Sequence, residues 1–166
     1  MRTLESETQF GQITAARRPL TELFACTPAV QAILSAASQR IECSAGDAVF
    51  HQHEVCRGLY VIASGDFVRK AVRMKTHLKL GSVRAGEVVE LAAALGDGRH
   101  TYTLSALTAG SLLLLPLSAL QKAFAIYPPF RMHLLEELAR EVSRAYLTCC
   151  IGQMSRRRRR GFLTAE

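Results

Sequence analysis

The sequence predicts an α+β fold, mainly β, in which an antiparallel sandwich or jelly roll is flanked by helices. Two observations support this prediction. From Arg40 to Leu115, short strand-like runs alternate with turn residues such as Ala45-Gly46-Asp47 and Ala85-Gly86-Glu87. Before and after that region, the apolar residues recur at helical spacing instead.

The flanking helices have recognisable starts. Thr27-Pro28 places a hydroxyl N-cap before a proline at the first helical position, which predicts a helix over residues 28–38. Beyond the strands, the apolar spacing predicts a short helix from Leu117 to Ile126 and then a long helix from about Phe130 to Cys150.

The strand region divides into short segments bounded by turns. The predicted strands are Ala48–His51, Leu59–Ala63, Phe67–Met74 and His77–Val83. Hairpin turns are predicted at Ser64-Gly65-Asp66 and at Lys75-Thr76. We therefore expect one domain over residues 27–150, after an extension over 1–26 with a helical turn around Leu20 to Phe24. A basic tail over 151–166 is expected to follow it.

The composition is that of a globular protein. Of the 166 residues, 49% are apolar and 21% charged, which is enough to form one core. The first ten residues lack the apolar segment of a signal peptide, and no apolar run approaches the roughly 20 residues of a membrane span. We expect a cytosolic protein without membrane contact, whose five cysteines are reduced thiols.

The basic character belongs to the predicted tail. The net charge is +7, and Arg156 to Arg160 supply +5 of it, which leaves the remainder nearly balanced. A block of like charges is usually a solvated segment or an interaction tail. We therefore expect no specific DNA binding, only weak, salt-dependent contact with nucleic-acid backbone, while a protein partner stays open.

The long helix carries an apolar stripe. Its members recur at alternating steps of three and four residues, as in a heptad seam: Leu135, Leu138, Val142, Ala145 and Cys149. The pattern predicts a homodimer held by this helix. The alternative is that the stripe packs on the chain's own β domain.

The carboxylates of the same helix, Glu136, Glu137 and Glu141, are interpreted as a solvated face. No G-x-S-x-G and no P-loop occurs, so no enzyme is predicted.

Several segments resemble the cyclic-nucleotide-binding domain family, in particular the sensor half of catabolite-activator-type (CRP/FNR) transcription regulators. They are AGDAVF at 45–50, GLYVIASGD at 58–66, AGEVV at 85–89, TLSA at 103–106 and LLEELAREV at 134–142. The resemblance implies a β-roll, also described as a double-stranded β-helix jelly roll, with an N-terminal helix and a long C-terminal dimerisation helix. It also implies a winged helix-turn-helix in full-length relatives, for which the roughly fifteen residues after Cys150 are too few.

The resemblance also implies a phosphate cradle, meaning the loop between residues 86 and 106. In ligand-binding members, a Gly-Glu pair opens a short helix and its Glu accepts from the ribose, while an Arg followed by Ser or Thr binds the phosphate. Counted from the flanking motifs, that pair falls on Glu90 and Leu91, and the Arg and hydroxyl fall on His100 and Thr101. A one-residue shift would instead use Glu90 and Arg99.

The predicted function follows from this degenerate cradle. Leu91 cannot accept from a hydroxyl, and His100 lacks the bidentate fork of arginine. We therefore expect a dimeric sensory or interaction module of a transcription regulator family that does not bind cAMP or cGMP. The alternative is a receptor for a cyclic nucleotide or another small ligand in the roll pocket.

No cofactor is predicted. His51 and His53 share one face of a strand, and with Cys56 they are weak candidates for a metal site, although their spacing matches no strong zinc pattern. A surface or pocket-lining pair of histidines is the alternative. Because the resembling family includes haem sensors, a haem held by a His or a Cys also stays open.

Overall fold

The computed structural model describes residues 26–161, without the side chains of residue 144 and residues 148–161. Its helices are α1 (Pro28–Ala37), α2 (Leu91–Leu95), α3 (Leu117–Ile126) and α4 (Pro128–Gly161). Its strands are β1 (Gln39–Cys43), β2 (Ala48–Phe50), β3 (Gly58–Ser64), β4 (Asp66–Arg73), β5 (Thr76–Arg84), β6 (Val88–Val89), β7 (Thr103–Ala106) and β8 (Gly110–Pro116). The predicted extension over 1–26 lies outside the described residues, except for Cys26.

The strands form two antiparallel four-stranded sheets. One sheet has the order β1-β8-β3-β6 and the other has the order β2-β7-β4-β5. The mixed architecture of a β-roll between an N-terminal helix and a long C-terminal helix confirms the predicted fold class. The chain crosses repeatedly between the sheets, so residues distant in sequence meet inside the roll.

Strand β8 shows why the fold has two apolar cores. Leu112 and Leu114 face the second sheet, whereas Leu113 and Leu115 face the helices, and all four are at most 1% exposed. Successive side chains of a strand point to opposite faces, so a continuous leucine run fits a sheet that is covered on both sides. The cradle lies beside the core between the sheets.

One predicted hairpin turn is wrong. Ser64-Gly65-Asp66 does not join paired strands, since β3 pairs with β6 and β8 while β4 pairs with β5 and β7. The segment instead carries the chain from one sheet to the other. Gly65 has φ +84°, and a Cβ there would lie 2.8 Å from the carbonyl oxygen of Ala109. Its glycine therefore serves a tight crossing, which local turn chemistry does not distinguish from a hairpin.

The second predicted hairpin is confirmed, but its turn lies one residue earlier in the chain than predicted. Strands β4 and β5 pair from Asp66–Arg84 down to Arg73–Thr76, and Met74 and Lys75 form the turn between them with φ of 48° and 64°. Positive φ at both central residues is typical of the tight turns that suit the twist of paired strands.

The helices agree with the sequence except at the end of the last one. Thr27 caps α1, since its hydroxyl accepts from the amide of Val30 at 3.5 Å, and α3 has the predicted bounds. Helix α4 continues to Gly161 instead of ending near Cys150, and so includes most of the predicted tail. Arginine and methionine are good helix formers, so the charge block does not end the helix.

Among the helices within residues 26–161, none combines the length and apolar character needed to cross a membrane.

Candidate functional site

The cradle is built from a strand end, a short helix and a loop. After β6, Glu90 adopts left-handed backbone geometry with φ 72° and precedes α2. The chain then passes through a loop with Gly96 and Gly98 before it enters β7. From His100 onward, alternate side chains are buried, namely His100, Tyr102, Leu104 and Ala106. The alternation places His100 and Tyr102 inside the roll, next to Glu90.

A buried pair of hydrogen-bonded side chains lies at the centre of the cradle. His100 Nδ1 lies 2.9 Å from Glu90 Oε2, and the two side chains are 1% and 0% exposed. The hydroxyl of Thr101 donates to Glu90 Oε1 at 3.5 Å. These contacts join the residue that precedes α2 to the loop that precedes β7. They occupy the polar groups that a ligand would otherwise meet.

Aromatic rings surround the histidine. The Phe50 ring stacks on the His100 imidazole with centroids 3.8 Å apart and planes 7° apart. Tyr60 lies 5.9 Å from the same imidazole, and Tyr102 lies 5.8 Å from Phe50. Tyr60 and Tyr102 belong to the core between the sheets and therefore act as packing residues. The rings fix the orientation of the imidazole.

Burial controls the acid–base chemistry of this site. It raises the pKa of the Glu90 carboxyl above its usual range, although hydrogen bonds from His100, Thr101 and Tyr102 act in the opposite direction. It also raises the pKa of Tyr60 to about 12 and that of Tyr102 still further from its ordinary value. Both tyrosines therefore stay neutral at physiological pH.

Two sequence-predicted cradle residues lie elsewhere. Leu91 is 7% exposed and packs in the apolar core between the first sheet and the helices, so its side chain does not face the cradle. Glu90 faces the cradle instead. Arg99 is exposed, and its guanidinium donates to the carbonyl of His53 at 3.0 Å. The shifted assignment thus fits Glu90 but not Arg99, because Arg99 and His100 point to opposite sides of the chain.

The residues predicted as candidates for a metal site do not lie together either. His51 and His53 are exposed, and His51 Nδ1 pairs with Glu54 at 3.2 Å. His53 has φ 72° and forms part of a turn. Cys56 is 1% exposed and lies with Glu90 and His100, so that one donor atom from each lies within 4.8 Å of the others. Sequence spacing does not reveal this grouping, since its members lie far apart in the chain and meet only by folding.

The comparisons with known proteins agree with this architecture. The model of the family described as cyclic nucleotide-binding domain matches residues 40–127, slightly more than half of the chain. The chain belongs to the cyclic nucleotide-binding domain family. The resemblance inferred from the sequence motifs is thereby confirmed. None of the curated proteins compared with this cyclic nucleotide-binding domain matches it.

Solved structures share the fold of this cyclic nucleotide-binding domain. The sensor domain of the transcriptional regulator DNR from Pseudomonas aeruginosa has 18% identity and a TM-score of 0.69, over 84% of this chain and 91% of that one. The N-terminal domain of a transcriptional regulator from Streptomyces coelicolor A3(2) has 27% identity and a TM-score of 0.60, over 80% and 92%.

A third neighbour is longer than this chain. The catabolite activator protein of Thermus thermophilus has 21% identity and a TM-score of 0.66, over 76% of this chain and 60% of that protein. The chain thus spans less than two thirds of that activator's length. The fold is therefore that of the sensor domains of CRP/FNR-type regulators.

The buried carboxyl of Glu90 makes stability depend on pH. A carboxyl whose pKa is raised by folding favours the folded state below its unfolded pKa, and this contribution is lost as pH rises through the folded value. Compared with Glu90→Gln, the wild type should therefore lose stability as pH rises from about 4.5. Urea unfolding of both proteins at a series of pH values measures the difference. A wild-type stability that stays constant or rises relative to that of Glu90→Gln as pH rises would contradict the prediction. Glu87→Gln, an exposed carboxyl nearby, is the control.

Proposed function

We propose that this chain is the sensory module of a transcription regulator whose cradle is closed by its own side chains, so that it does not bind cAMP or cGMP. One observation carries the proposal, namely the buried Glu90–His100 pair at 2.9 Å. A cyclic phosphate is an anion and needs positive or hydrogen-bond-donating groups. The donor of the cradle, His100, is already paired with a carboxylate.

Tyr102 supports the same proposal. Its side chain is 8% exposed and lies between the two sheets beside Glu90 and His100. A ligand would have to displace this ring as well as break the contact between Glu90 and His100. Calorimetric titration with both cyclic nucleotides tests the proposal, and a saturable low-micromolar heat would contradict it.

A line of polar contacts connects the cradle with the long helix, as a sensor requires. The Arg69 guanidinium lies 5.8 Å from the centre of the Tyr102 ring. Arg69 Nη1 also donates to Glu141 Oε1 on α4 at 3.2 Å. The side chain of Glu141 is 45% exposed, so it lies partly in solvent and partly against the roll. A change at Tyr102 would reach α4 through one intervening side chain.

The output of the module is proposed to be a homodimer formed through α4. Part of the predicted seam does not serve this purpose, since Leu138 packs against the core under the helices. The outer stripe, as we name it, has the same alternating spacing and is formed by Met132, Leu135, Ala139, Val142 and Tyr146. Met132, Val142 and Tyr146 are 59%, 60% and 69% exposed. Ala145 is exposed as well, while the Cys149 side chain lies outside the described residues.

Charges in the outer stripe should separate the dimer. Val142→Glu together with Tyr146→Glu removes two apolar contacts, worth about 3 kcal/mol in total, and so weakens association about 100-fold. Light scattering over a dilution series measures the change. Leu147→Glu is the matched control, because Leu147 is 58% exposed but lies about 100° around the helix from Tyr146. A wild type that is monomeric at all concentrations would contradict the dimer.

A further inference from the structure

Three buried side chains with metal-binding atoms meet inside the roll. Cys56 precedes β3, Glu90 precedes α2 and His100 precedes β7, so three separate segments supply one group each. They are 1%, 3% and 2% exposed. The thiol sulfur, a carboxylate oxygen and an imidazole nitrogen all lie within 4.8 Å of one another.

This set of donors fits a zinc-class ion. Zinc binds thiolate, imidazole and carboxylate at about 2.0–2.3 Å, which places the donor atoms of a tetrahedral site about 3.3–3.8 Å apart. The donor atoms of Cys56, Glu90 and His100 therefore need to move by about 1 Å or less to reach this spacing, which adjustment of the side chains allows. We propose that Cys56, Glu90 and His100 together bind one divalent transition-metal ion of the zinc class.

The charges of the site balance when the ion is bound. Without metal, the Cys56 thiol donates to the carbonyl of Gly58 at 3.2 Å, and Glu90 pairs with His100. On binding, the Cys56 thiol and the Glu90–His100 pair each lose a proton to solvent, so that thiolate and carboxylate supply two negative charges beside a neutral imidazole. A 2+ ion neutralises both, and neutrality matters because an unbalanced buried charge is costly.

Neighbouring groups orient the ligands. The stacking of Phe50 fixes the plane of the His100 imidazole, and Thr101 donates to Glu90. Outer partners of this kind set the direction of metal ligands in proteins. The idea that this ion is the signal that the sensor detects rests on the proposed function. The metal site itself is inferred from geometry alone.

The test uses the full chain after treatment with a chelator. Titration with ZnCl₂ should show one ion per chain, and titration with CoCl₂ should show the near-ultraviolet charge-transfer band of a cobalt–thiolate bond. Cys56→Ser should remove that band. Glu90→Gln and His100→Gln should weaken binding at least about 100-fold, since loss of an outer partner alone costs 10–100-fold.

Two variants serve as matched controls. Cys43→Ser removes another free, partly buried thiol, and His51→Ala removes the exposed histidine that pairs with Glu54. Both should bind as the wild type does. Loss of binding in His51→Ala with retention in Cys56→Ser would overturn the site, as would cobalt binding without a thiolate band.

The test of metal binding does not depend on whether one variant folds or on the proposed function. If Cys56→Ser fails to fold, protection of the wild-type Cys56 thiol from alkylation by ZnCl₂ decides the question, and unprotected alkylation overturns the site. Nucleotide titration of the metal-free protein tests the proposed function independently. Nucleotide binding there would refute the closed cradle without touching the metal site, and absence of metal binding would refute the metal site alone.

Discussion

Neither cAMP nor cGMP is expected to give a saturable heat when it is titrated at micromolar concentration into the wild-type protein. The physical reason is the loss of partners for the phosphate. Transfer of a phosphate anion out of water must be offset by charge-assisted hydrogen bonds worth about 1.5–3 kcal/mol each. Within the described residues 86–106, the basic side chains are His100 and Arg99. His100 faces inward but is paired with Glu90 at 2.9 Å, and Arg99 faces outward, where it donates to the carbonyl of His53.

The reverse experiment should create affinity. His100→Arg supplies more N–H donors than Glu90 can occupy, so a bidentate fork stays available for the phosphate. Tyr102→Ala removes the ring that fills the cradle, and Glu90 is kept because it already faces inward. Two regained charge-assisted contacts are worth about 3–5 kcal/mol, which is two to four decades in the dissociation constant. Calorimetry on this double variant measures the gain. Leu91 should be left unchanged, since a carboxylate there would enter an apolar core.

Arg99→Ala is the control for this experiment. Arg99 is exposed and bonded to the backbone of His53, so its removal should leave nucleotide affinity unchanged in both backgrounds. Wild-type binding that disappears in Arg99→Ala would contradict the closed cradle and restore the shifted assignment, in which Arg99 holds the phosphate.

Phe130→Ala should destabilise the domain by about 3–5 kcal/mol, because it leaves a cavity where a large aromatic side chain was fully buried. Phe130 is 0% exposed, and its ring lies 5.6 Å from that of Phe124. It contributes with Leu134 and Leu138 to the contact that holds the first turns of α4 on the roll. Since residues 142 and 145–147 of the same helix are exposed, these early contacts decide its docking.

Urea unfolding at a fixed protein concentration measures this loss, since the stability of a dimer depends on concentration. Arg131→Ala is the matched control, because the neighbouring Arg131 is exposed and should change stability by less than about 0.5 kcal/mol. A loss below about 1 kcal/mol for Phe130→Ala would show that α4 does not depend on this contact for its docking.

The elements of the fold were largely predictable because their signals are local. The N-cap at Thr27, the helical spacing after Pro116 and the alternation of strands and turns each report on a few neighbouring residues. Helix α3 matches its predicted bounds for this reason. At Gly65 the same local signal predicts a hairpin where the chain crosses between sheets, because a glycine with positive φ serves both arrangements and only strand pairing distinguishes them.

The sequence by itself determined the family, the order of N-terminal helix, β region and C-terminal helices, and the absence of an arginine at position 100. Tertiary structure alone decided which side chains face the cradle. It turned Glu90 inward and Leu91 into the core, and it brought Cys56 to within 4.8 Å of Glu90 and His100. The physical reason is that a loop without regular periodicity has no preferred inner face of its own. The packing of the two sheets and of α2 assigns that face, so a site formed by three distant segments exists only after folding.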